Sequence, residues 1–157
     1  MSEIKRINDQ LKRAFEGNAW HGPSVSEVLA GVTAEQAAAH PIAGGHSIWE
    51  LTLHIGTWER VGRRRLQESN PIEVPDEEDW PAVGNTSDEA WQATLEELRS
   101  NHQALRSALR GLDETRLDEI VPGTQYSIYF LLQGVIQHDL YHAGQIALLK
   151  KAVSSMG

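Results

Sequence analysis

Cysteine is absent from the 157-residue chain, which removes disulfides, thiolate metal sites and a cysteine nucleophile from consideration. The absence fits an intracellular protein, and a cytoplasmic one is expected. Long apolar runs are missing too: none approaches the ~20 residues of a membrane-spanning helix. The start, Met1-Ser2-Glu3-Ile4-Lys5-Arg6, passes straight into an amphipathic pattern without the apolar centre of a signal peptide, so no membrane association is expected. Basic residues are scarce, 14 Lys and Arg against 22 Asp and Glu, for a formal charge of −8. Nucleic-acid affinity needs clustered cations that displace counterions, so a nucleic-acid partner is not expected. The Arg63-Arg64-Arg65 run is the exception, and near a helix end it complements the negative pole of the helix dipole. Alternating Val-, Ile- and Thr-rich runs are also lacking, which leaves no sheet to place.

What remains is helical. Apolar residues make up 40% and charged residues 23%, an ordinary globular balance, and the length suits one domain over 1–157. Ile4, Ile7, Leu11, Ala14 and Phe15 recur at helical spacing up to Gly17. Gly22-Pro23 breaks the chain before Val25, Val28 and Leu29, and Thr33 with Gln36 caps a short Ala-rich helix stopped at Pro41. Ser47 and Glu50 form another capping box, opening a helix of about 47 to 67 with Ile48, Leu51, Ile55, Trp58 and Val61 on one face. Thr86 and Glu89 open a third long helix, with Trp91, Leu95, Leu98, His102, Leu105 and Leu109 as its seam, ended by Gly111. The last runs from about Ser127 to Val153. The fold class is therefore all-α, a four-helix bundle. Between the second and third long helices, residues 68–86 extend at ~3.3 Å each to ~60 Å, against ~30 Å for a twenty-residue helix, so the chain can cross the whole bundle and leave the two parallel. The acidic run Asp76-Glu77-Glu78-Asp79 lacks a calcium loop's spacing and reads as a solvated turn, with Ile72 and Trp80 pinning the loop.

Histidine carries the chemistry. His138 and His142 are four apart, which on a helix puts their Cβ atoms ~6 Å apart on one face, within reach of a common ion at ~2.1 Å. They share a stripe with Leu131, Val135 and Ile146, and His54 lies beside Leu51, Ile55 and Trp58 on the inward face of its own helix. Three imidazoles aimed at an apolar interior need partners. One divalent metal would satisfy all three; ordinary hydrogen-bonded core histidines are the alternative. Nothing at ligand spacing pairs with His102, so it reads as structural, and His40 and His46 flank loops. Asp139 stands either as a base or ring-orienting group or as a surface residue at the stripe's edge. Trp20, Trp58, Tyr126, Tyr141 and Gln145 are candidate pocket walls, with simple packing the alternative for each aromatic. His138-Asp139-x-x-His142 lacks the downstream ligand of a zinc protease, and no Glu-x-x-His pair of a di-iron bundle is found.

Trp20-His21-Gly22-Pro23-Ser24, Ser47-Ile48-Trp49-Glu50 leading to His54, and His138-Asp139-Leu140-Tyr141-His142-Ala143-Gly144-Gln145-Ile146 resemble the DinB/YfiT-like metal-binding bundles over nearly the whole chain. The resemblance implies an up-down-down-up bundle with the long crossover, zinc or nickel held by His54, His138 and His142, and a homodimer. It also implies thiol-dependent chemistry, as in bacillithiol S-transferases and mycothiol-dependent isomerases. Without cysteine, any thiol here comes as a low-molecular-weight cofactor, and water would give hydrolysis instead. Two readings stay open: an enzyme acting on a small-molecule substrate, and a non-catalytic metal- or ligand-binding scaffold of the stress response.

Overall fold

The computed structural model describes residues 1–155; the last two positions of the expected 1–157 domain lie outside the described residues. Among the described residues seven α-helices follow in order: α1 Glu3–Glu16, α2 Val25–Leu29, α3 Ala34–Ala38, α4 Ile48–Gln67, α5 Asp76–Asp79, α6 Asp88–Arg110 and α7 Ile128–Ser154, with a short 3-10 helix Glu114–Asp118 before α7. Among the described residues there is no strand, and one isolated bridge pairs Ile120 with Ser127 ahead of α7. None of the described helices is long and apolar enough to cross a membrane.

Local sequence sets the boundaries. Ser24, Thr33 and Ser47 each accept from the backbone of the third helical residue, while Glu27, Gln36 and Glu50 reach back to the cap, closing three reciprocal boxes. The start of α6 differs by one residue from expectation. Asn85 Oδ1 accepts the Ser87 N–H at 2.8 Å, and that turn presents Ser87, not Thr86, to cap Ala90.

The long helices α1, α4, α6 and α7 form an up-down-down-up bundle. Trp49 meets Trp91 and Thr94, Gly56 meets Asn101, and Glu59 meets His102, so α4 and α6 ascend together. In contrast, His54 meets His138 and His142 while Gly62 abuts Val135, so α7 runs against α4. Phe15 stacks on His102 while Asn8 meets Arg106, which sets α1 against α6.

The apolar core falls into two parts. One gathers Phe15, Trp49, Ile55, Trp91, Leu98 and Ile146; the other gathers Leu11, Leu66, Leu105, Leu109, Leu132 and Ile136. Between them, at one level of α4, α6 and α7, sit Glu59, His102 and Asp139, each almost wholly buried.

Candidate metal centre

α4 and α7 bring the three expected histidines together. His138 Nε2 lies 2.9 Å from His54 Nε2 and 3.1 Å from His142 Nε2. On two of the rings the far nitrogen is fixed by an acceptor. His54 Nδ1 donates to the Asp79 carbonyl at 2.7 Å, with the Asp79 carboxylate 3.1 Å away, and His142 Nδ1 donates to Gln145 Oε1. Both rings therefore turn an Nε2 lone pair toward His138. A single Nε2–H on His138 can answer only one of them, and its own Nδ1 is buried without a partner. Burial first, and the neighbouring imidazoles second, push His138 down to about 3; burial is also the leading reason His54 and His142 lie below the ordinary imidazole range. Unprotonated rings with converging lone pairs, two of them oriented by Nδ1 donation, form a candidate donor set for a metal ion. Ligand atoms bonded to one ion at ~2.0–2.1 Å stand ~3–3.4 Å apart, the scale seen here. The residues fit a divalent ion.

The crossover closes the site. α5 is latched onto α4 by Thr57 Oγ1 donating to the Glu78 carbonyl at 2.9 Å and Trp58 Nε1 donating to Asp79 Oδ1 at 2.7 Å. Trp80 follows and stacks face to face on His54 at 3.8 Å and on His46 at 3.7 Å. The acidic run is thus a helical turn that reaches the histidines through Asp79, not a purely solvated one. His46 is exposed, as its loop position suggests, yet joins the stack.

The other expected residues divide. Gln145 meets His142 directly, and Trp58 packs edgewise on both His54 and His138. Tyr126 accepts from Arg65 at 2.7 Å in a cavity of about 250 Å³ that runs from His138 past Trp58 to Phe130. Tyr141 is mostly exposed but lays its ring edgewise on His142 at 5.0 Å. Trp20 is fully exposed and walls nothing; it lies in the turn between α1 and α2. Asp139 is neither at the surface nor turned to the triad. One residue on from His138 rotates it ~100° around the helix, into the core.

A family model described as the DinB superfamily matches residues 19–146, most of the chain and all three histidines. The chain belongs to the DinB superfamily. A crystal structure described as the conserved protein of locus from Enterococcus faecalis is similar with a TM-score of 0.73, covering 99% of each chain at 18% identity, a likeness that speaks for the fold alone. No curated protein matches the chain.

A second group was missed from sequence. His102 Nδ1 lies 2.9 Å from Glu59 Oε1, and the Glu59 and Asp139 carboxyls face one another. Burial drives Glu59 up to about 7, and burial with the facing carboxylate drives Asp139 well above the usual carboxylate range; burial takes His102 down to about 4. The signal was present. Thr52, Ile55, Gly62 and Leu66 form one buried stripe of α4 at steps of three and four, and Glu59 fills its missing place; Leu132, Ile136, Ala143 and Ile146 do the same around Asp139. Reading each helix for one apolar face hid both.

Proposed function

We propose that this DinB-superfamily protein is a metal-dependent enzyme acting on a small organic molecule, with one divalent ion, zinc or nickel, held by His54, His138 and His142. The observation that carries the reading is the convergence of three imidazole Nε2 atoms, two of them oriented by Nδ1 donation to Asp79 and Gln145. With three neutral ligands such an ion keeps its full charge and supplies Lewis acidity to a thiol, water or carbonyl group. The chain has no cysteine, so the nucleophile comes from solution, as a low-molecular-weight thiol or water. Thiol transfer is the first reaction to test and hydrolysis the second.

The chain's own residues shape what can be bound. Trp80 shields one face of His54 from water, and the cavity beside His138 offers Trp58, Leu131 and Val135 to an apolar substrate body. Arg65 lines the same cavity, lying over Trp58 at 5.6 Å while donating to Tyr126 and the Ile72 carbonyl, and puts a fixed positive charge beside any bound substrate. One observation favours the non-catalytic scaffold instead: with Asp139 turned away, the nearest carboxylate, Asp79, is already engaged by Trp58 and His54.

The test is zinc content and turnover of metal-loaded wild type, His54→Ala and His142→Ala. Each variant is expected to lose one zinc equivalent relative to wild type, and thiol-transfer or hydrolytic turnover with it. Unchanged zinc content in either folded variant refutes the metal assignment. Zinc lost with no turnover in any screen, alongside tight ligand binding by the wild type, favours the scaffold.

A further inference from the structure

The polar layer that splits the core is the most unusual feature of the interior. Glu59 and Asp139 are 0% exposed and His102 1%, and all three sit where neighbouring turns place apolar side chains. His102 Nδ1 is hydrogen-bonded to Glu59 Oε1, and the Glu59 and Asp139 carboxyls face one another closely enough to share a proton. No other protein group serves Glu59 Oε2 or either Asp139 oxygen, and His102 Nε2 has no neighbour closer than Glu16 Oε1 at 3.9 Å. Leaving buried polar groups unpaired costs free energy, and leaving buried carboxylates unpaired costs more. The nearest cationic side chain, Arg106, donates to Asn8 at 3.1 Å and to Glu16, and meets the layer only at its edge, where Glu16 Oε1 lies 3.9 Å from His102 Nε2. Phe15 covers the His102 ring, stacked at 3.9 Å and 8°.

One ligand atom from each of the three side chains lies within 4.8 Å of the others, the convergence seen also at the three histidines. The donor sets differ. One imidazole with two carboxylates is harder and more oxygen-rich than three imidazoles, and carries the negative charge that the three-histidine group lacks. We propose that Glu59, His102 and Asp139 hold a second divalent cation, of the manganese(II) or iron(II) type, inside the bundle. The cation would join both Asp139 oxygens and Glu59 Oε2 to a common charge and tie α4, α6 and α7 together where the apolar core is interrupted. This site shares no residue with the three-histidine group and stands or falls separately from it.

The full-length chain is expressed in manganese-supplemented medium, so that the buried site fills as the chain folds, then loaded with zinc at the three histidines and freed of loosely held metal. Manganese is counted by elemental analysis, and its ligands are read by pulsed electron paramagnetic resonance. The expected result is one manganese per chain in wild type and in the His54→Ala/His142→Ala double variant, coupled to a single imidazole nitrogen. Retention is expected to fall at least tenfold in Glu59→Gln and in Asp139→Asn. Absence of retained manganese in folded wild type overturns the proposal, as does equal retention in both carboxamide variants. Coupling to two or three imidazole nitrogens would place the ion at the histidine triad and overturn it equally. Should the carboxamide variants fail to fold, the nitrogen count in wild type decides alone.

Discussion

Gln145 offers a direct test of how the three-histidine group is built. It lies nearly one turn beyond His142, half-buried, and its Oε1 accepts the His142 Nδ1 proton. Gln145→Leu removes the acceptor with little change in side-chain size. Two consequences separate. Without metal, the freed N–H can find water at this half-buried position, so stability falls by about 0.5–1.5 kcal/mol. With metal, the ring loses what fixes its tautomer and raises its basicity, and loss of such an outer partner weakens binding ~10–100-fold, about 1.4–2.7 kcal/mol. At free zinc ~1,000 times the wild-type Kd, bound metal stabilises the wild type by ~4.1 kcal/mol; a 100-fold weaker variant keeps ~1.4 kcal/mol. For a chain of this length, ~2–4 °C per kcal/mol makes the chelator-reversible rise in Tm about 5–10 °C smaller. The assay pairs zinc titration against a chromophoric chelator with melts in the presence and absence of metal. Gln145→Glu keeps an acceptor and should hold affinity within about threefold, well inside the loss expected of a lost partner. Zinc affinity of Gln145→Leu within twofold of wild type, or an equal fall in Gln145→Glu, would refute the reasoning.

Thr57→Val should release the Glu78 carbonyl from α4, costing about 1–3 kcal/mol by denaturant unfolding and weakening zinc binding, because the carbonyl that orients His54 rides on the same turn. Trp20→Ala should change stability by no more than about 0.5 kcal/mol and leave zinc affinity unaltered, since the side chain is fully exposed; a larger effect would place Trp20 in a contact the fold does not show. In metal-free protein the three histidines have folded-state pKa values below the ordinary 6.5. Their contribution to stability is therefore full above that pH and is lost as pH falls through the window from 6.5 toward about 3, where His138 titrates. Glu59 has the opposite sign: raised to about 7, it contributes stability that is full below its ordinary 4.5 and lost as pH rises through 7. Glu59→Gln should consequently steepen the acid-side loss measured by urea midpoint against pH in chelator, and an unchanged slope would contradict the assignment.

Much of the architecture was legible because single signals suffice for it. Capping boxes at Thr33 and Ser47 and the four-three spacing from Trp91 to Leu109 are local, and the structure places those helices within a residue or two of expectation. The histidine group was legible for the same reason: His138 and His142 share one face, and His54 lies on the inward face of its own helix. What escaped depends on packing between helices. Asp139 was weighed only against the stripe through His138 and His142, yet α7 is buried along a second stripe through Leu132, Ile136, Ala143 and Ile146. His102 looked solitary because its partner, Glu59, is 43 positions away on α4. Asp79 and His46 escaped because their roles arise from where the crossover folds back, which local spacing does not encode.

That crossover explains why one helix can serve two polar groups. α4 and α6 run parallel, so the chain leaving Gln67 must return the length of the bundle before Asp88. On the way it passes His54, and there it contributes the Asp79 carbonyl and the Trp80 ring. A short hairpin turn would have set α6 antiparallel to α4 and left no chain over the histidines. The same parallel pairing keeps α4 and α6 in step, bringing Glu59 level with His102, while the antiparallel α7 presents His138 outward to the covered groove and Asp139 inward to the core. His138 and Asp139 are adjacent in sequence but serve different groups because ~100° separates consecutive residues on a helix. Inserting one residue in α7 between Asp139 and His142 would turn His142 a further ~100° around the helix, widening its angle from His138 from ~40° to ~140°. The three-histidine group should then lose zinc, while Glu59, His102 and Asp139, all on the N-terminal side of the insertion, keep their register. Zinc retained at wild-type affinity in that variant would mean the ion does not depend on two imidazoles sharing one face of α7.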